Sequence, residues 1–228
     1  PIAGNLSINL KHLLLRWFDC HLRGVDNGAL TDPPIHLFVM GGGSGERTAE
    51  GRLDHGGHWR SEHSWPIERA VPTKLYLGEN GGLTKKPSTM SGKITALFDP
   101  SSPMPTISAN TSSLNEILPT PNRFSPEAPN SLTRLMVIQG GADQRTRADL
   151  HGCKPPYMPL EQRADAFVFS TEPLENSLEI TGPIEATIYL SSDAPDTDLF
   201  IMLQDYYPPS ATWPDGFRLN VALSLIHI

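Results

Sequence analysis

The chain has 228 residues, of which 38% are apolar, and its net charge is -7 at pH 7. This length is enough to bury a sizeable hydrophobic core. The acidic balance argues against a nucleic-acid partner, because neutralising phosphates requires a basic surface. The sequence holds no apolar run of the roughly 18 residues that a bilayer-spanning helix needs, so no membrane partner is expected either.

Proline, glycine and cysteine contents narrow the fold class. With 22 prolines and 19 glycines, the composition favours many short strands joined by loops over a helical bundle. The two cysteines, Cys20 and Cys153, are interpreted as free thiols. Because no CxxC pair occurs, we expect no thiolate zinc site, and no cofactor is predicted.

Near the start of the chain, residues 7–23 have the pattern of one amphipathic helix. Ser7 is the predicted N-cap, and Gly24 is the predicted C-terminal stop. No later segment has a helical pattern of this quality, so the sequence raises the question of what covers the apolar face. That face carries apolar side chains at spacings of three and four residues: Leu10, Leu13, Leu14, Trp17 and Phe18.

Downstream, short apolar runs separated by Pro, Gly, Asn and Ser clusters indicate strands. No helical period lies between them, so antiparallel sheets in a sandwich or jelly roll are expected. Residues 41–64 are polar and glycine-rich and are interpreted as a loop or a functional insertion, and residues 100–130 as an exposed meander. The predicted strands are residues 35–42, 73–78, 94–99, 134–141, 165–171, 178–192 and 199–208.

The stretch around Ser44 is the nearest approach to a G-x-S-x-G nucleophile elbow. It runs G-G-S-G-E, so Glu46 stands where the last glycine should be, and no helix is predicted to follow. Neither this stretch nor the SGKI turn at residues 91–94 satisfies a phosphate-binding loop. Composition and spacing alone therefore indicate no catalytic set.

Two clusters contain residue types that bind metals. Asp193, Asp196 and Asp198 could contribute to a calcium site, although the EF-hand spacing is absent. We favour the alternative that these aspartates cap turns at the end of a strand. Three further residues match no helical ligand spacing and are interpreted as surface histidines: His55, His58 and His63.

Several phrases in order resemble one family, the X-Pro dipeptidyl-peptidase and cocaine-esterase-like hydrolases. LRWFDCHLRGVDNG is similar to the helix that closes their α/β-hydrolase domain. IHLFVMGG and HWRSEHSWPIERAVPTKLYL resemble the entry into their C-terminal jelly roll, and LFDPSSPMPTI, GGADQR, the long run from Asp165 to Asp205, and PDGFRLN resemble its strands. The resemblance covers residues 7–221.

This resemblance implies a mainly β fold, a truncated jelly-roll β-sandwich of the galactose-binding-like type preceded by the closing helix of a hydrolase domain. The helix would then pack on a catalytic domain that precedes it. In the family the serine, aspartate and histidine of the triad all precede this helix, so no catalytic residue is assigned here, and His12 is not the triad histidine. A wall of the acyl pocket is the expected role of four residues: Ile107, Leu114, Ile117 and Leu118.

The expected domain organisation follows from the same resemblance. Residues 1–34 would end the catalytic domain, and residues 35–222 would form the incomplete jelly roll. Residues 223–228, LSLIHI, match what a common sequencing adapter would encode, and the chain starts without Met, so we expect a fragment truncated at both ends. With the true N-terminus missing, a cytoplasmic location is only slightly favoured.

The resulting hypothesis is a fragment of a serine hydrolase that acts on a small ester, an amide or an X-Pro peptide through an acyl-enzyme. The alternative is a β-sandwich binding module, in which Trp59, Trp65 and Trp213 would be stacking platforms for a sugar. Packing in the core or between domains is the interpretation that we favour for these tryptophans. A homo-oligomeric interface domain is a third possibility.

Overall fold

The computed structural model describes residues 8–49, 51, 53–89, 92–107, 142–148, 150 and 153–227. Within these ranges the chain is mainly β, and its strands pair as three separate two-stranded antiparallel sheets that do not close on one another: β1 with β2, β3 with β4, and β5 with β6. The elements are α1 (Leu10–Arg23), β1 (Ile35–Gly42), β2 (Gly56–Glu62), β3 (Tyr76–Leu77), β4 (Leu83–Thr84), a 3-10 turn (Leu160–Gln162), β5 (Asp198–Tyr207) and β6 (Phe217–His227).

Helix α1 confirms the amphipathic pattern, but it begins at Leu10 with Asn9 as its N-cap. The Asn9 side-chain oxygen accepts a hydrogen bond of 3.0 Å from the backbone N–H of His12, which satisfies a free donor of the first turn. The predicted cap, Ser7, lies outside the described residues. At the other end Gly24 has φ +67°, the left-handed conformation that ends helices, as predicted.

Strand β2 shows that the interpretation of residues 41–64 as a loop or insertion was wrong for residues 56–62. This strand pairs with β1, and Phe38 lies opposite Trp59 with their ring centroids 5.5 Å apart. A side chain at Gly57 would approach the Phe38 ring to 2.4 Å, so the missing Cβ makes room for that ring. The glycines that concealed the strand in the sequence are therefore required by its packing.

The tip of this hairpin, residues 43–49, 51 and 53–55, docks on the turn between β5 and β6. The indole N–H of Trp213 donates a 2.8 Å hydrogen bond to the carbonyl oxygen of Gly45, and the Arg47 guanidinium lies 4.4 Å from the Trp213 ring centre. Leu53, at the base of the tip, is 2% exposed and packs with Phe217 and Leu219. The glycine-rich stretch thus forms one wall of a hydrophobic cluster.

Aromatic side chains complete this cluster. Phe217 lies 4.7 Å from Trp213 and 6.5 Å from Tyr207, measured between ring centroids, in tilted and edge-on arrangements. A Cβ on Gly45 would approach the Tyr207 ring to 3.1 Å, so the tip backbone lies directly against that ring. Burial, together with the nearby Asp205, raises the pKa of Tyr207 to about 12, and the phenol therefore stays neutral.

A second hydrophobic cluster lies beyond β6 and is joined to the first through backbone hydrogen bonds. Gln144, 2% exposed, donates its amide N–H groups to the carbonyl oxygens of Ile107 and Ala142, both at 3.3 Å. Its own backbone N–H donates to the carbonyl of Arg218 on β6 at 3.1 Å. Because β6 also contributes Phe217 and Leu219 to the first cluster, this strand connects the two clusters. The second cluster consists of Ile107, Ala142, Leu150 and Leu160.

Four charged side chains tie β2 to a distant segment. Arg60 donates to both carboxylate oxygens of Glu179 at 2.7 Å and also pairs with Glu62, which Arg69 contacts from the other side. The hydrogen bond from Arg69 holds the pKa of Glu62 below its ordinary value, and the one from Arg60 does the same for Glu179. The network links residues 119 positions apart in the sequence.

Strand β5 confirms the prediction for residues 199–208. Its partner β6 runs to His227 and pairs residues 223–227 with residues 198–202, although the adapter origin of that tail remains a prediction. Residues 94–99, 165–171 and 178–192 are not strands, and residues 134–141 lie outside the described part of the chain. Ser170 forms one bridge to Gly82, but a strand needs a partner along its whole length, and these segments do not have one among the described residues.

We expect Leu53→Ala to lower the free energy of unfolding by about 2–4 kcal/mol, because it leaves a cavity beneath the docked tip. Denaturant unfolding of the chain measures this change. Leu97→Ala is the matched control, since Leu97 is 86% exposed, and it should change the value by less than about 0.5 kcal/mol. Equal effects of the two substitutions would contradict the docked hairpin.

The Glu62 network gives a prediction on acid stability. A pKa that is lower in the folded state than in the unfolded state contributes stability above the ordinary glutamate value of about 4.3, and this contribution is lost as the pH falls through the folded value. Glu62→Gln should therefore flatten the fall of unfolding free energy below about pH 5. Glu68→Gln, at an exposed position, is the control and should keep the fall unchanged. The same acid slope in both variants would disprove the role of the network.

Candidate interdomain surface

The apolar face of α1 is an exposed hydrophobic surface in the N-terminal region. None of the helix residues is buried, although the sequence places the apolar side chains on one face. The Trp17 ring contacts the His21 ring in a tilted arrangement, with ring centroids 4.0 Å apart. This aromatic contact lies within the helix itself. The face exposes 41–62% of each of its residues: Leu10, Leu13, Leu14, Trp17 and Phe18.

The opposite face of α1 is occupied by the connector that follows the helix. Arg16 donates hydrogen bonds to both carboxylate oxygens of Asp32, and its Nε–H donates to the carbonyl oxygen of Asn27 at 3.1 Å. Asn27 returns a 2.8 Å hydrogen bond from its side-chain amide to the carbonyl oxygen of Arg16. The hydrogen bonds between Arg16 and Asp32 hold the pKa of Asp32 below its ordinary value and raise that of Arg16. Arg16 is thus engaged by the connector while the apolar face is open.

The stripe consists of apolar side chains that remain exposed to solvent. Exposed apolar surface on a helix is stabilised when a partner removes it from water. No helix in the described ranges is both long and apolar enough to cross a bilayer.

The residues that could have been catalytic are not assembled into a site. Ser44 Oγ donates a 2.8 Å hydrogen bond directly to a carboxylate oxygen of Asp54, with no imidazole between them, and this bond keeps the pKa of Asp54 low. A serine nucleophile needs a general base within reach. His12 is exposed on α1, far along the chain from either residue. Ser44 therefore stabilises the hairpin tip.

The candidate metal ligands do not converge. Asp193, Asp196 and Asp198 are all exposed, and nowhere in the described part of the chain do three His, Cys, Asp or Glu side chains form a group that could hold an ion. The expectation of surface histidines was correct for His58 and His63 but wrong for His55, which is 2% exposed. The burial of His55 follows from its place at the base of the docked tip, which the sequence pattern did not reveal.

The predicted pocket wall is only partly described. Ile107 is 4% exposed and packs in the second hydrophobic cluster, with Met104, Cys153 and Met202 at its edge. Leu114, Ile117 and Leu118 lie outside the described residues. A role of these residues in a pocket therefore remains a prediction, and local packing accounts for the position of Ile107.

The three tryptophans occupy different environments. Trp213 is engaged by Gly45, Arg47 and Phe217 within the first cluster, which fits the packing role and not a sugar platform. Trp59 and Trp65 expose 41% and 51% of their surface. Cys20 and Cys153 are free thiols, as predicted.

Comparisons with known proteins relate this chain to esterases. The chain is 29% identical over 201 residues to the cocaine esterase of Rhodococcus sp. (strain MB1 Bresler), an alignment that covers 84% of this chain and 27% of that protein. It is 26% identical over 211 residues to a protein of Mycobacterium bovis provisionally named as a serine esterase, covering 91% of this chain and 26% of that protein. A Mycobacterium tuberculosis protein with a similar name matches to the same extent.

These alignments show that the chain spans about a quarter of the length of the curated relatives it matches. No solved structure matches the chain. The family described as the X-Pro dipeptidyl-peptidase C-terminal non-catalytic domain matches residues 27–222, from the connector through most of β6. This domain is of the β-sandwich type, in agreement with the strands described above. Since the match covers most of its length, the chain belongs to the family of X-Pro dipeptidyl-peptidase C-terminal non-catalytic domains.

Proposed function

We propose that this chain is the C-terminal, non-catalytic part of a serine hydrolase that cleaves esters or amides, including X-Pro peptide bonds. The relatives that it matches are named as esterases, and the family takes its name from a dipeptidyl-peptidase. In this proposal the reaction runs through an acyl-enzyme formed by a serine of a catalytic domain that precedes α1. The present chain contributes no atom to the chemistry.

The observation that carries this proposal is the open apolar face of α1. The helix precedes the family match, which begins at residue 27, and it turns an ordered hydrophobic stripe towards solvent while its polar face is bonded to the connector. A catalytic domain of the same polypeptide is the partner that the relatives' greater length supplies. The β-domain would then flank the substrate pocket and help to shape it.

We expect this chain alone to show no hydrolysis of a p-nitrophenyl ester or of an X-Pro chromogenic amide above a matched protein blank, because Ser44, the nearest approach to a nucleophile elbow, bonds a carboxylate and not a histidine. A version extended upstream to the natural start codon should hydrolyse at least one of them. Ser44→Ala should leave the extended protein's rate within about twofold, since the Ser44 hydroxyl bonds only Asp54 and the backbone N–H of Glu46 among the described residues. Turnover by the short chain that disappears in Ser44→Ala would disprove the assignment.

The helix face can be tested with a charge placed on either side of α1. Leu14→Glu puts a carboxylate on the apolar face, and His12→Glu puts one on the polar side as a matched control. In the short chain both should change the unfolding free energy by less than about 0.5 kcal/mol, because both sites are exposed. In the extended protein only Leu14→Glu should lower the melting temperature, because it would bury an unpaired charge.

A melting temperature of the extended protein that responds equally to both substitutions would show that the apolar face remains open there. The helix would then have a different partner, and the proposal would lose its main support.

A further inference from the structure

We infer that Arg16 is a positioning residue that locks α1 to the first strand of the β-domain, so that residues 24–34 form a rigid connection and not a flexible linker. The three residues that make the connection rigid, Arg16, Asn27 and Asp32, are called the clamp. Its effect on catalysis rests on the proposed function, whereas its rigidity can be measured in this chain alone.

The hydrogen bonds of the clamp close a ring between helix and connector. Arg16 reaches residues 11 and 16 positions downstream, and it uses its Nε–H and both terminal nitrogens to do so. Asn27 bonds back to the carbonyl oxygen of Arg16, and its side-chain oxygen accepts from the N–H of Ala29 at 3.2 Å. The connector is therefore hydrogen-bonded to the helix at two separate points, Asn27 and Asp32.

Arginine is required at this position by geometry. Its planar fork meets both carboxylate oxygens of Asp32 at once, which the single ammonium of lysine cannot do. The connector also passes close to the guanidinium: Gly28 has φ +75°, and a Cβ there would lie 3.3 Å from the terminal nitrogen of Arg16. A bulkier residue would disturb both the turn and the fork.

The clamp is linked stiffly to the sheet. Asp32 is followed by Pro33 and Pro34, whose rings fix the backbone φ angle, and β1 begins at the next residue, Ile35. Ile35 lies opposite Glu62, the residue that joins the ion network on β2. Restraint at Arg16 is thereby transmitted along a short, inflexible path into the hairpin.

The same helix offers a natural comparison. Arg23 pairs with Asp19 at 2.8 Å, but these residues are four positions apart on α1, and Arg23 is 71% exposed. That pair stabilises the helix locally and joins it to nothing else. It therefore separates the effect of losing an arginine on α1 from the effect of opening the clamp.

Amide hydrogen exchange in this chain tests the clamp directly. The N–H groups of Ala29 and Thr31, which bond to Asn27 and Gly28, report on the connector. We expect Arg16→Lys and Asp32→Asn each to accelerate exchange at these two amides about tenfold, and the double variant to exchange no faster than either single one. Arg23→Lys should leave both rates unchanged.

Unchanged exchange in Arg16→Lys, an additive double variant, or an equal response to Arg23→Lys would each overturn the inference. A cooperative loss of all protected amides in the single variants would also overturn it, because it would mean that Arg16 supports the whole fold and not the position of the helix.

The extended protein tests the consequence for substrate binding. If the clamp sets the position of the β-domain beside the pocket, Arg16→Lys should raise KM about threefold or more, with kcat within about twofold. An unchanged KM would overturn this positioning role. An extended protein that hydrolyses nothing would instead refute the proposed function, while the exchange experiment on the short chain would still decide whether the clamp exists.

Discussion

The docking of the hairpin tip on the β5–β6 turn is the contact on which the described β structure depends. It joins Gly45 to Trp213, 168 residues apart, and covers Leu53 and Phe217. Long-range contacts cost chain entropy, so they persist only where burial and hydrogen bonding act together. Here a buried leucine, an indole hydrogen bond and a stacked guanidinium act at the same place, and the first and last strands of the domain are held together as a result.

β6 extends this arrangement through its backbone. Arg218 accepts from Gln144 at its carbonyl and donates its own N–H to Asp143 at 2.9 Å, while its side chain lies 4.8 Å from the Tyr206 ring centre and bonds Glu161. The hydrogen bond to Glu161 raises the pKa of Arg218, so the charge is permanent. A buried charge held by so many partners makes the strand's position difficult to alter, since any shift would leave it unpaired.

The sequence predicted those features that local patterns determine. The helix and its glycine stop, β1 and β5 followed from periodicity and punctuation, and the family followed from ordered phrases. Strand β2 and the burial of His55 were missed, because Gly57 and its neighbours are selected to fit Phe38 and the docked tip, which are distant contacts without a local signature. The sequence indicated that the apolar face of α1 has no matching helix later in the chain. It did not indicate the pairing of Arg16 with Asp32, because two charges 16 positions apart carry no periodic signal.

The segment from Leu178 to Leu190 carries a further consequence. Its exposed apolar side chains lie at even-numbered positions on both sides of Gly182 and Pro183, and the backbone there forms no strand. They are Leu178, Ile180, Ile184, Ile188 and Leu190, each 39–60% exposed. Exposed apolar rows outside a sheet are potential templates for intermolecular β-pairing. We therefore expect concentrated solutions of the isolated chain to aggregate, opposed locally by Pro183 and by the charge of Glu185, since Glu179 is paired with Arg60.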